Sequence, residues 1–431
     1  MHTIDLDLSL DEVTKVEGAA KLEVKVRQGK VEKCTFAITE YKRFYTQAMR
    51  GKLYKALPQL LMRICGTCSN AHLLASIESC EKALGYEASP QSKIMKNLTV
   101  AGLLIRDHAL HLYLFAMPDI YGKDNFLAFD DQDEEQHQHL HDAFAIKAAG
   151  NYLAQIIAGR SVHAINPVIG GFIKVPTQEE VDEAIRSLVE VRPAVLRLIN
   201  TFAKCDWHFD RKTNYMALVS NPYGYLEGEI KDDNGGVISE NRYRDHLERV
   251  VLPYSQASGY TYQGESFMVG ALARMNLSKD TLHADTKKDA AAALKRFPST
   301  NIFDNNLAQA IEILNAMDTA EELLRNTKFK VEKPVEPTKK EGVGVGVVEA
   351  PRGTLYHRVE IGADGKVVQG MIVVPTGQNQ INIEQDLASL VEQLINKGKN
   401  KEEIQVEMEK LIRAYDPCMS CAAHFLEVNW S

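Results

Sequence analysis

The chain has no excess of basic residues: 50 lysines and arginines stand against 58 aspartates and glutamates, for a net charge of -8. That balance excludes a broad nucleic-acid-binding face, because the surplus negative charge repels phosphate. No uninterrupted run of about 18 apolar residues occurs, so a membrane-spanning helix is not expected. The opening Met1-His2-Thr3-Ile4-Asp5 carries no basic and apolar leader, and the cysteines number seven, an odd count. Both features predict reduced thiols in the cytoplasm rather than a disulfide framework. Bias towards disorder or a collagen-like repeat is missing too, since 45% hydrophobic and 25% charged residues over 431 positions is an ordinary globular composition. The stretch Gly342-Val343-Gly344-Val345-Gly346 lacks the spacing of a dinucleotide fingerprint and leads into strands, which removes a nucleotide loop.

What the chain does have is two cysteine pairs of identical spacing near its opposite ends. Cys65-Gly66-Thr67-Cys68 is followed by His72, and Cys418-Met419-Ser420-Cys421 is preceded by Asp416 and followed by His424. Two cysteines at this spacing can point both sulfurs at one ion from a single turn, and two such turns supply four soft thiolates. The pattern predicts one buried four-sulfur metal site, made by bringing the ends of the chain together. The first pair opens a helical pattern, Ala71 to Leu84, where free amides and the helix dipole favour thiolate. Cys34, in a strand pattern, and Cys80, in mid-helix, read as structural.

Hydrophobic periodicity organises the rest. Ala20 to Val26 and Val31 to Ile38 read as a hairpin turned at Gln28-Gly29-Lys30. Long buried helices are predicted over Ser92 to Phe129 and Glu134 to Ala158, followed by a helix capped near Thr177 and two more over Asp285 to Arg296 and Asn305 to Asn326. Lys330 to Glu341, with Pro334 and Pro337, reads as an exposed connector. Strands follow at Val345 to Glu349, Leu355 to Ile361 and Val367 to Val374, with loops at Ala350 to Gly353 and Pro375 to Asn379, then helices over Ile383 to Lys397 and Lys401 to Tyr415. The fold class is α+β, predominantly helical. One domain is expected over 1–431, with an N-terminal β region to about 50, a helical core to about 330, and a β region with C-terminal helices from about 342. The acidic run from Asp130 to Glu135, ahead of His137, His139 and His141, reads as a solvated helix start.

Together these residues closely resemble the nickel-iron hydrogenase large subunit. The resemblance rests on both cysteine turns with their histidines, on Lys15-Val16-Glu17-Gly18, Gly159-Arg160 with His163, Ala350-Pro351-Arg352-Gly353, and Pro375-Thr376 with Asn379, and so spans essentially the whole chain. It implies that Cys65 and Cys418 are terminal thiolates on nickel, and that Cys68 and Cys421 bridge nickel to an iron carrying carbon monoxide and cyanide. It implies further that Arg352, Pro351, Thr376 and His72 surround those ligands, with Asp119 and Asp416 as the carboxylates beside the arginine. The implied reaction is heterolytic splitting of dihydrogen, or its reverse, with Cys418 as the first base and Glu17 as the proton relay. No paired cysteines remain for iron-sulfur clusters, so an iron-sulfur small subunit is expected as partner, with further electron-transfer subunits.

One residue departs from the family pattern. Thr46 stands where the family commonly has a glutamate that helps hold magnesium near the C-terminal histidine, here His424, and a hydroxyl is a poorer ligand for a hard cation. The resemblance also implies a maturation protease that removes Phe425 to Ser431 once nickel is in place. Three rivals are a complex I-like quinone-module subunit, a four-thiolate zinc scaffold and a dithiol oxidoreductase. In the first the nickel-binding cysteines are lost, whereas all four are present here. Zinc does not explain Glu17, Arg352 and Thr376, and a dithiol enzyme needs only one pair.

Overall fold

The structure is a computed structural model, and residues 5–423 of it are described. The chain begins with an antiparallel sheet in the order β1 (Leu6–Leu10), β2 (Ala20–Arg27) and β3 (Lys30–Ile38). Along β2 the side chains alternate, Ala20, Leu22, Val24 and Val26 being buried and the charged residues between them half-exposed. That is the period of two from which the hairpin is predicted. Gln28 and Gly29 both have positive φ, the geometry a two-residue hairpin turn requires. Strand β1 was not foreseen.

Five long helices make up the middle of the molecule: α1 (Ser69–Leu84), α2 (Pro90–Leu110), α3 (Glu134–Ala158), α4 (Gln178–Lys204) and α5 (Asp304–Asn326). Their starts are set by side chains that occupy free amides. Ser89 caps α2, Asp133 caps α3, and Thr177 with Glu180 forms a reciprocal capping box on α4. Helical geometry continues from α2 through a wider π turn, His111–Ala116, as far as Ile120. It ends there rather than at Phe129, because Gly122 turns the chain with a φ of 61°. Pro90–Ile120 is long and apolar enough to cross a membrane by length and composition, yet 83% of its apolar window is buried inside the protein, as in a core helix. Residues 205–281, which the sequence leaves mixed, contain a four-stranded sheet.

The C-terminal part carries a meander of β4 (Gly342–Ala350), β5 (Gly353–Ile361) and β6 (Val367–Val373), then α6 (Pro375–Asn396) and α7 (Lys401–Ala414). Pro375 to Asn379 is not a loop but the first turn of α6, with Pro375 in the position that tolerates its missing amide. Strand β4 lies directly on the backbone of α1, and this explains its glycines. A β-carbon on Gly344 would sit 2.1 Å from the Ser79 carbonyl oxygen, and one on Gly346 would sit 2.2 Å from that of Ala75. Gly344→Ala is therefore expected to destabilise the fold by about 3 kcal/mol or more, since backbone rather than a movable side chain is in the way. A thermal melt matching that of the native chain would refute the packing. One apolar cluster runs from Leu8 to Ala423, so both ends of the chain share a core.

Candidate metal centre

The first cysteine turn sits at the start of α1, where Cys68 is the cap residue and its amide donates to Cys65 Sγ at 3.4 Å. The second follows α7, where Cys418 precedes the short turn Met419–Ala422. Packing of α1 and α7 against the shared core brings them together across 353 residues of sequence. Cys65 Sγ lies 3.4 Å from Cys418 Sγ, Cys68 Sγ 3.1 Å from Cys421 Sγ, and Cys418 Sγ 3.1 Å from Cys421 Sγ. All four ligand atoms fall within 4.8 Å of one another, all four residues are buried, and no disulfide joins them. Among the described residues this is the one set of three or more histidine, cysteine or acidic side chains that could share an ion.

The protonation of these thiols shows what the site needs. Hydrogen bonds from Cys418, Cys421 and Cys68 hold Cys65 well below the ordinary thiol range, while burial pushes Cys418 and Cys421 well above it. Four thiolates at this separation cannot coexist in a buried site without a compensating cation. The donor set is four soft sulfurs, which suits nickel and iron, and the spacing allows sulfurs to be shared between two ions.

A small cavity adjoins the sulfurs, lined by Cys68, His72, Ala350, Arg352, Leu355, Pro375, Thr376, Cys418 and Cys421. Arg352 comes from the two-residue turn between β4 and β5, and its guanidinium lies between Asp107 Oδ2 at 2.8 Å and Asp416 Oδ1 at 2.9 Å. Its Nε is buried with no hydrogen-bond partner among the described residues, as expected of a donor kept for a ligand in the cavity. The Thr376 hydroxyl accepts from the Cys418 amide at 2.9 Å. His72 Nε2 lies 3.4 Å from Cys421 Sγ, and its Nδ1 lies 3.0 Å from His357 Nε2. Glu17 pairs with Cys418 in a parallel bridge, and its Oε2 lies 3.0 Å from Cys418 Sγ and accepts from the Ser420 amide at 3.1 Å.

Two expectations are corrected by this geometry. Asp119 is not beside Arg352: its carboxylate takes both oxygens to Arg413 Nη1, at 2.9 and 2.8 Å, and accepts from Lys15 Nζ at 2.5 Å. Asp107, on the face of α2 turned towards the cysteines, fills the place expected of Asp119. An aspartate inside an apolar helical run was the available signal for it. Pro351 does not line the cavity, where Ala350 and Pro375 are found instead, and its carbonyl accepts from Arg274 at 3.2 Å. Arg274 itself was missed, lying in the stretch that the sequence leaves unread. Fully buried, it pairs with Glu312 and Glu349 and also bonds the Ala350 carbonyl at 3.1 Å, bracing the turn that presents Arg352. His163 has its ring near Arg63 and the Cys65 backbone, and its amide donates to Ser69. Asn379 holds both backbone groups of Val269.

Thr46 lies in the short helical turn Tyr45–Ala48. His424 and Phe425 to Ser431 lie outside the described residues, so neither the magnesium ligand nor the tail has a place here. Arg43 Nη2 donates to the Ile64 carbonyl at 2.7 Å and the Ser420 carbonyl at 2.6 Å, and the Arg43 amide donates to the Ala423 carbonyl at 2.9 Å.

Comparison with known proteins gives one consistent result. The model of a family described as nickel-dependent hydrogenase matches residues 46–156 and 235–424. Sulfhydrogenase 1 subunit alpha of Pyrococcus furiosus is 30% identical over 99% of this chain and 100% of its own length. The NAD-reducing hydrogenase HoxS subunit beta of Cupriavidus necator is 28% identical over 97% of this chain and 95% of its own. Among solved structures, an NAD+-reducing NiFe-hydrogenase in its H2-reduced state superimposes with a TM-score of 0.85 at 24% identity, covering 97% of this chain and 99% of its own. At that identity the likeness is one of fold.

Proposed function

Because the chain belongs to the nickel-dependent hydrogenase family and is a catalytic hydrogenase subunit with nickel and iron at its four cysteines, we propose the following division of labour among its residues. Cys65, Cys68, Cys418 and Cys421 would hold nickel, with Cys68 and Cys421 also available to an iron that would carry carbon monoxide and cyanide. The metals supply the binding and polarisation of dihydrogen. The observation that carries the reading is the convergence of two cysteine turns, 353 residues apart, on one buried point beside an arginine with an uncommitted donor.

The protein's own residues then hold ligands and move a proton. Arg352, fixed between Asp107 and Asp416, and Thr376 face the cavity in which the iron's small ligands would sit. Arg352→Lys is expected to assemble with its metals but lose about 100-fold in turnover, because an ammonium cannot span two carboxylates and still offer a planar donor. Full activity would remove the guanidinium from the mechanism. Cys418 Sγ is the first base, and Glu17, 3.0 Å away and partly exposed, accepts its proton and passes it outward.

Asp119 takes a different role from the one the resemblance suggests. Arg413 Nε donates to the Thr14 carbonyl at 3.1 Å, and Lys15 adopts a φ of 55°. One carboxylate thus ties the segment carrying Glu17 to the one carrying Cys418, as a positioning residue. Asp119→Asn is expected to slow turnover about tenfold by loosening that register. In a Glu17→Gln background the same change should cost almost nothing further. Additive losses would show that Asp119 acts elsewhere.

The relatives are named as subunits of larger hydrogenases, which implies a small-subunit partner. We assign that partner the iron-sulfur clusters, add further electron-transfer subunits and a protease acting after His424, and place the complex in the cytoplasm. Arg43 already holds the segment before residue 424, its guanidinium on the Ser420 carbonyl and its backbone amide on the Ala423 carbonyl, which supports a terminus held by protein rather than by magnesium. The test is purification of the native complex, with metal analysis, identification of co-purified subunits, and hydrogen-dependent reduction of a viologen dye. Nickel and iron with dye reduction are expected. Zinc without nickel would overturn the reading.

A further inference from the structure

The first two turns of α3 hold histidines that the catalytic centre does not use. His139 is buried, and its Nε2 meets the Tyr121 hydroxyl at 2.9 Å, so it is a packing residue. His137 and His141 point the other way, both exposed, four residues apart on one face of the helix. Their Nε2 atoms lie 3.1 Å apart, with ring centroids 4.7 Å apart. Two imidazole nitrogens about 2.0–2.1 Å from one ion are separated by about 3.0 Å at a right angle and about 3.4 Å at a tetrahedral angle, so the observed spacing already fits shared coordination.

The other ring nitrogen of His137 supports the same reading. His137 Nδ1 faces Asp131 Oδ1 at 3.7 Å, too far for a direct hydrogen bond but on the side from which a carboxylate's charge favours a metal-binding imidazole. The surrounding acids have separate explanations: Asp133 caps the helix through the Glu135 and Gln136 amides, and Glu134 and Glu135 suit its positive end. They leave an anionic field that concentrates cations. Among the described residues the side chains of His137 and His141 meet each other and Asp131, and neither is packed into the core.

The geometry points to a second, surface metal site, in which His137 and His141 chelate a divalent transition ion of the zinc and nickel class beside the charge of Asp131. Water completes the coordination, so the ion is exchangeable, and it clips the start of α3 across one turn. Imidazole pairs select such ions over magnesium or calcium, which prefer oxygen ligands.

Calorimetric titration of Zn2+ into the nickel-loaded holoenzyme tests this. Native protein is expected to show one binding event that disappears in His137→Ala and in His141→Ala, and weakens about tenfold in Asp131→Asn. Magnesium should give no such event. Both alanines favour helix, and hydrogen-dependent dye reduction should be unchanged in all three variants, which shows that they are folded. As a second measurement, Cu2+ added to the native holoenzyme should show electron paramagnetic resonance splitting from two nitrogens, reduced to one in either alanine variant. Identical zinc titrations of native and His137→Ala protein would overturn the site.

Discussion

Cys421→Ser is expected to yield a chain that folds but retains neither its full nickel and iron nor hydrogen-dependent dye reduction above background. Cys421 is one of the two inner members of the cluster. Its sulfur lies 3.1 Å from both Cys68 and Cys418, and 3.4 Å from His72 Nε2. A serine oxygen is harder, binds these metals less well, and stays protonated where a thiolate would not. The comparison that makes the result interpretable is Cys34→Ser. Cys34 lies in β3, half-buried against the core, and burial pushes its thiol up to about 12, so it is inert. That variant should keep its metals and its activity while losing some stability. Metal-to-protein ratios for the two variants decide the matter: equal retention of nickel would mean that Cys421 is not a ligand.

Glu17→Gln should retain nickel and iron at the native ratio while turnover falls by about 10²–10⁴-fold, the range for removing a positioned acid or base. The amide keeps the size of the side chain, and its carbonyl can still accept from the Ser420 amide, now at 3.1 Å. What it loses is a proton site opposite Cys418 Sγ. The backbone contributes to this placement, because the Met419 amide donates to the Glu17 carbonyl at 3.0 Å in the bridge that sets Glu17 beside Cys418. Glu17→Asp should therefore recover only part of the rate, its shorter side chain no longer spanning the 3.0 Å contact. The readouts are steady-state turnover and metal content on the same preparation. Native turnover in the glutamine variant would place the proton route elsewhere, and loss of nickel would make Glu17 an assembly residue.

Residues whose role depends on local chemistry were legible in the linear chain. Two cysteine turns with matching spacing specify a soft four-sulfur donor set wherever they meet. The alternation of β2 and the Thr177 capping box specify their own elements, because each depends on neighbours within a turn or a pleat. The Gly342 to Gly346 run could be placed in a strand, but its reason, contact with the backbone of α1, lies 259 residues or more away. The same limit explains the exchange of Asp107 for Asp119. Both are aspartates on the same helical stretch, and only the packing of that stretch shows that Asp107 faces Arg352 while Asp119 faces Arg413.

By itself, then, the sequence determined the donor atoms, the family signatures that name the reaction, the long helices, and the strands of the first hairpin and the C-terminal meander. The tertiary structure alone decided which carboxylate flanks the arginine, that Ala350 and Pro375 rather than Pro351 line the cavity, and that Arg274 braces the turn behind it. The physical reason is range. A thiolate's affinity for a soft metal belongs to the residue, whereas the partner of a buried charge is settled by whichever opposite charge the folded core brings within about 3 Å of it.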